Sequence, residues 1–213
     1  MLTLVLLSDT HGKHDTLVVP AGDILVHAGD LTDAGSLEEL EDINAFFARL
    51  PHRHKLVIAG NHDFCFEREP EEARATLTAA TYLEDEAVTV EGIRFYGSPW
   101  QPWFFDWAFN LPRGEALKEK WALIPPKTDV LITHGPPRGI GDLTIGGEHA
   151  GCEELLRRVR RLKPKLHVFG HIHEGAGLYR DGGTTFVNAS TEGGMAPMRL
   201  TWPLRRGRPR RAR

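Results

Sequence analysis

Short apolar runs alternate along this chain with longer stretches whose apolar residues recur at three- and four-residue spacing. The runs, bounded by Gly, Pro, Asp or Asn, predict strands at residues 2–7, 24–28, 55–59, 87–90, 93–96, 130–133, 166–169, 185–188 and 198–201. The longer stretches predict helices at 71–80, 115–123 and 152–162. A further helix should run from a Ser36 cap to Leu50, with Glu39 three residues on to complete a capping box. Strands alternating with helices imply an α/β architecture. Gly and Pro cluster at 97–113 and 135–151, which therefore read as loops.

Five of the predicted strands end on an Asp, Asn or His cluster. They read LVLLSDTHG (4–12), ILVHAGDLTD (24–33), LVIAGNHD (56–63), VLITHGPP (130–137) and HVFGHIHEG (167–175). In α/β sheets the carboxyl ends of strands are where ligands and catalytic groups collect. Buried strands would hold these residues rigidly and leave their side chains free at one rim, as a site with many ligands requires.

Asp9 and His11 stand two apart, as do His171 and His173, so in extended backbone each pair points to one face. Asp30 offers a carboxylate able to bridge two cations, Asn61 an amide oxygen suited to a crowded shell, and His134 a further imidazole. Two Asp, one Asn and four His make a mixed oxygen and nitrogen donor set, better matched to Mn, Fe or Zn than to Mg or Ca. The absence of a thiolate from the set argues against a structural zinc site. Two divalent or trivalent ions about 3.5–4 Å apart would clamp a phosphoryl group and generate a bridging hydroxide near neutral pH. Mn is the ion expected to support activity in vitro. His62, beside Asn61 but pointing the other way, is left free to donate a proton to a leaving oxygen. Asp33 is the expected partner that orients it, so His62 and Asp33 form the candidate catalytic pair.

Length and charge narrow the class further. The 213 residues, 41% hydrophobic and 26% charged, suffice for one large domain with a sizeable core, which we assign to residues 1–204. No apolar run approaches the roughly 20 residues needed to span a bilayer. The run at 2–7 is also too short for a secretory core of about 7–15 residues, so a cytoplasmic protein without a membrane partner is expected. Cys65 and Cys152 belong to no CxxC pair and read as two reduced thiols. The net charge of −3 conceals six arginines within residues 205–213, leaving −9 for the remainder once they are removed. That tail reads as a disordered, solvated end. Nucleic acid is not expected as a partner, and the oligomeric state is left open.

The ordered set D-x-H, G-D-x-x-D, G-N-H-D/E, H and G-H-x-H is matched by Asp9/His11, Gly29-Asp30/Asp33, Gly60-Asn61-His62-Asp63, His134 and Gly170-His171-Ile172-His173. In this the chain resembles the calcineurin-like metallophosphoesterase superfamily, with no position of the pattern missing. The resemblance implies a four-layer α/β/β/α sandwich with two central mixed β-sheets. It implies one metal held by Asp9, His11, Asp30 and His173, and a second held by Asp30, Asn61, His134 and His171. It also implies the pairing of His62 with Asp33. A narrower likeness runs through GSPWQPWF (97–104), THGPP (133–137), HAGCEELL (149–156), HVFGHIHEGAG (167–177) and VNAS (187–190). These stretches are similar to the branch containing the animal brain metallophosphoesterase-domain proteins. That branch implies a small phosphodiester substrate, cyclic nucleotides included. The residues alone fix only a phosphoester, so a promiscuous phosphomonoesterase and a nucleotide-binding protein with weak activity stay open as alternatives.

Smaller clues bear on the substrate. Ala59 precedes Gly60 where protein Ser/Thr phosphatases of the superfamily resemble R-G-N-H-E, and Asp63 stands in place of the Glu. A diester carries less negative charge than a monoester and needs such an arginine less. Trp100, Trp103, Phe104, Phe105 and Trp107 read first as a packed loop core and second as a base-stacking surface. His149 and Asn188 are the candidate substrate-binding residues, Asn188 with the rival role of satisfying backbone. Arg113 and Arg138 are weaker candidates for phosphate. His14, His27, His52, His54 and His167 read as surface or packing residues.

Overall fold

The computed structural model describes residues 1–204; the arginine-rich segment 205–213 lies outside them. In chain order the elements are β1 (Leu2–Leu7), β2 (Ile24–His27), α1 (Leu37–Arg49), β3 (His54–Val57), α2 (Phe64–Arg68), α3 (Pro70–Thr76), β4 (Thr81–Tyr82), β5 (Glu86–Val90), β6 (Ile93–Ser98), β7 (Gln101–Pro102), β8 (Asn110–Leu111), α4 (Glu115–Ala122), β9 (Val130–Thr133), α5 (Glu153–Leu162), β10 (Leu166–Phe169), β11 (Gly177–Asp181), β12 (Thr184–Asn188) and β13 (Met198–Trp202). The first sheet has the order β13-β1-β2-β3-β4, the second β11-β12-β10-β9-β6-β5. Parallel pairing fills the middle of both; antiparallel pairs close three of the four edges, β1 with β13, β11 with β12 and β5 with β6, while β4 joins β3 in parallel.

Alternation along the strands explains how the sheets stack. In β1, Leu4 and Leu6 face the second sheet and meet Phe95, Val130, Ile132, Val168 and Val187 in one core cluster. Val5 and Leu7 point the other way, onto Ile43, Phe46 and Phe47 of α1. On the far side, Leu131, Phe169 and Phe186 pack against Leu117 and Trp121 of α4 and Leu155 and Val159 of α5. Helices, sheet, sheet and helices make the four layers that the family resemblance implies. Strands buried on both faces need apolar residues throughout, which is why their runs are so legible. No helix among the described residues is long and apolar enough to cross a membrane.

All nine predicted strands are present, with ends shifted by at most two residues. The capping box is also present: Ser36 Oγ accepts from Glu39 N, and Glu39 reaches back to Ser36 N. The helix expected over 71–80 stops at Thr76. Ala79 N instead donates to Asn44 Oδ1 on α1, and the chain turns into β4, which extends the first sheet beside β3. Tertiary pairing here overrides helical propensity. β11 was not expected. Its signal was Gly182-Gly183, both at positive φ, the two-residue turn of a hairpin.

Candidate metal centre

β1, β2 and β3 of the first sheet and β9 and β10 of the second all end at one rim, and each delivers polar residues there. The two sheets are stitched along this seam. His171 N donates to both carboxylate oxygens of Asp9, and His134 Nδ1 donates to Ala28 O. The seven residues singled out in the sequence are thereby brought together. Ligand atoms of Asp9, His11 and His173 lie within 4.8 Å of one another, and so do those of Asp30, His134 and His171. Asn61 Oδ1 joins the second group, 2.9 Å from His134 Nε2.

Asp30 connects the groups. Its Oδ1 accepts from His62 N at 2.8 Å, which fixes the carboxylate. Its Oδ2 is then directed between the two groups, 3.6 Å from His11 Nε2 and 3.3 Å from His134 Nε2. One oxygen is anchored and the other is shared.

Local backbone makes this convergence possible. Asp9, His11, Asp30 and His171 all adopt left-handed backbone, with φ of 56°, 43°, 55° and 67°. For residues other than glycine this conformation costs roughly 1–2 kcal/mol each. Strain of this kind persists where the surrounding structure over-determines it, and it gathers at functional sites. The glycines beside the ligands serve close approach. A Cβ on Gly60 would collide with Asp30 Oδ1, and one on Gly170 with Asp9 Oδ2.

The surroundings push the four imidazoles in opposite directions. Burial, helped by the charge on His134, pushes His171 down to about 3, and burial also lowers His11. Burial works against a proton on His134 too, but the adjoining Asp30 carboxylate overcomes it and the pKa rises to about 9. The hydrogen bond to Asp9 raises His173. Burial pulls Asp30 upward, yet the charge on His134 and their hydrogen bond hold it well below the usual carboxylate range. His11 is buried, yet neither of its ring nitrogens has a hydrogen-bond partner. Buried polar groups are ordinarily satisfied. Two orphaned nitrogens among carboxylates fit a cation-binding role, as does the mixed donor set, so these residues fit a pair of ions.

The sequence profile of the calcineurin-like phosphoesterase family matches residues 2–175. The chain belongs to that family. Human and mouse metallophosphoesterase domain-containing protein 1 are each 48% identical to this chain over 211 residues. The match covers 87% of this chain and 65% of theirs, so the chain spans just under two thirds of the length of these curated relatives. Among solved structures, the phosphopantetheinyl hydrolase of Mycobacterium tuberculosis superposes with a TM-score of 0.59 at 16% identity, covering 88% of each chain. That likeness concerns the fold.

Other residues of this family member fall in less expected places. His62 Nδ1 donates to the backbone carbonyl of Asp33 at 2.7 Å, so the expected orienting contact is made by main chain instead of by the Asp33 carboxylate. Asn188 is buried, its amide donating to Gly141 O and Ile172 O while its Oδ1 accepts from Ser190 N. That spends its polar capacity on backbone behind the His171–His173 turn. His149 is half-exposed, with Nδ1 2.7 Å from the buried Asp142. Arg113 donates to Ala150 O and Gly151 O, and Arg138 to His149 O, so both pin the loop carrying His149.

The aromatic loop corrects its first reading. Trp103, Phe104 and Phe105 are 59%, 51% and 70% exposed instead of packed in a loop core. Phe104 sets its ring edge-on to His171, 6.0 Å between centroids. His14, His27, His52 and His167 are buried packing residues, as expected, and His54 is half-buried. The sequence reading passed over Asp63, which is fully buried and ties the metal loops together. It accepts from Gly60 N, Leu31 N, Thr32 N and Thr32 Oγ1. Its place directly after the Asn-His pair was the available signal.

Proposed function

We propose that this chain is a binuclear metal-dependent phosphodiesterase acting on small phosphodiesters, cyclic nucleotides among them. The observation that carries the reading is Asp30 Oδ2, shared between His11 and His134 while Oδ1 is anchored by His62 N. One ion would be held by Asp9, His11, Asp30 and His173, the other by Asp30, Asn61, His134 and His171. Mn, Fe and Zn suit these donors, with Mn expected to support activity in vitro. Such a pair supplies Lewis acidity toward the phosphoryl oxygens and an activated water.

The chain's own groups do the rest. With Nδ1 committed to Asp33 O, His62 has only Nε2 to present to a substrate, the arrangement required to hand a proton to a leaving oxygen. Ala59 stands where a phosphate-gripping arginine would be, and Arg113 and Arg138 are committed to carbonyls. A singly charged diester fits these surroundings better than a dianionic monoester. The exposed rings beside His171 supply an apolar face for an aryl group or a nucleobase. A cytoplasmic setting accords with two free, buried thiols.

The test is a substrate panel on the Mn-loaded protein: bis-p-nitrophenyl phosphate, p-nitrophenyl phosphate, and 2′,3′- and 3′,5′-cyclic nucleotides. Turnover should favour the diesters. Protein carrying two ions per chain and hydrolysing none of the diesters would refute the proposal.

A further inference from the structure

The loop after β7 brings a tryptophan against the proposed acid. Ala108 N donates to Asn61 O at 3.1 Å, tying the residue after Trp107 to the residue before His62. Phe109 N donates to Glu67 Oε1 at 2.8 Å, which secures the same loop to α2. The two rings therefore lie together, His62 over Trp107 with 4.1 Å between centroids and 36° between planes. Trp107 is itself stacked on Phe64 at 5.9 Å and 26°, and the Arg68 guanidinium lies 4.2 Å from the Phe64 ring centre. His62 also meets His11 in a T-shaped contact, 4.5 Å between centroids at 84°. A continuous column runs from a surface arginine to a metal-site histidine.

The hydrogen bond to Asp33 O fixes one ring nitrogen of His62 but leaves the ring free to tilt about it. The Trp107 face and the T-shaped contact with His11 restrict that tilt. We infer that Trp107 is a positioning residue for His62, holding its imidazole so that Nε2 faces the leaving oxygen. The inference rests on His62 being the proton donor of the proposed reaction. A positional error of about 1 Å from a residue remote from the chemistry can cost on the order of 10²-fold in rate, so the clamp has a measurable consequence.

Proton donation matters most when the leaving oxygen is a poor leaving group. The experiment compares diphenyl phosphate with p-nitrophenyl phenyl phosphate, which differ only in that oxygen's substituent. It uses wild type, His62→Ala, Trp107→Ala and Trp107→Phe in Mn-loaded full-length protein. His62→Ala should lose more kcat on diphenyl phosphate than on the nitrophenyl ester. Trp107→Ala should show the same bias, with a loss of about 10–10²-fold on diphenyl phosphate, little change in KM and two ions per chain retained. Trp107→Phe, which keeps a flat face under His62, should recover most of that loss. If His62→Ala is biased but Trp107→Ala loses kcat equally on both esters, or changes only KM, the positioning role is overturned. An unbiased His62→Ala enzyme would instead overturn the acid assignment, and this inference with it.

Discussion

The two ligand groups that meet at Asp30 are built to different standards. The His134 side chain is closed in: it is 0% exposed, Nδ1 is tied to Ala28 O, and Nε2 lies against Asn61 and Asp30. Around His173 the protein is looser. That residue begins a single 3-10 turn, its side chain is 37% exposed, and neighbouring His11 has no hydrogen-bond partner on either nitrogen. The histidine of one half is enclosed and that of the other reaches solvent, although each half has two buried members and one half-buried one.

The largest effect should come from the residue both halves share. Asp30→Asn should lower diester turnover by more than about 10³-fold, beyond the 10–100-fold typical of groups that only orient a ligand. Metal analysis should find both ions weakened, and a variant still carrying two tightly held ions would remove Asp30 from its bridging place. Next comes the contrast itself. His134→Ala opens a void beneath the site and should also destabilise the fold, by about 2 kcal/mol in denaturant titration. His173→Ala should leave stability nearly unchanged and regain activity as Mn is raised. Equal responses of the two variants, in stability and in Mn dependence, would erase the distinction between a closed and an open half.

Acidification tests what lies beneath the halves. Burial pushes both His27, under the first sheet's ligands, and His167, under the second's, down to about 3. Their unfolded value is near 6.5, so below that pH the unfolded chain takes up protons that the folded chain refuses. Their contribution is therefore intact above about pH 6.5 and is lost progressively as the pH falls toward 3. For metal-free protein, the stability gap between wild type and His167→Gln should move by on the order of 2 kcal/mol in the variant's favour between pH 7 and pH 5. A constant gap would mean that His167 takes up its proton at the same pH in the folded protein as in the unfolded chain. The smallest effect belongs to the rim. Phe104→Ala should raise KM for aryl diesters roughly 5–10-fold with kcat held, since one stacking contact is worth about 1–3 kcal/mol. A change in kcat alone would place Phe104 among the groups that hold His171.

Much of this was legible in the chain because the physics is local in sequence. Strands buried on both faces must be apolar throughout, so β1, β9 and β10 declare themselves to the residue. The donors declare themselves because oxygen and nitrogen ligands need particular side chains, and those occur at strand ends. What escaped depends on partners far along the chain. β4 and β8 are two residues long and exist only because a neighbour pairs with them. The left-handed backbone at Asp9, His11, Asp30 and His171 leaves no mark in residue type, since glycine would be the ordinary choice there. The Asp33 contact was misassigned because spacing reveals which residues are near but not whether side chain or carbonyl makes the bond. Trp107 stood out only as one ring of the aromatic loop, since nothing in the sequence registers a residue 45 positions later against His62, or Ala108 against the Asn61 carbonyl.

The seam between the sheets also bears on timing. The contact of His171 N with Asp9 spans 162 positions. At roughly 5–20 residues per second, a ribosome needs on the order of ten to thirty seconds to make the chain between them. Throughout that interval β1 lacks its β13 neighbour, and the aspartate that should receive His171 has nothing to receive. The centre is thus among the last features of the molecule to come into being. An unfinished chain holds the residues of the centre without the seam that gathers them.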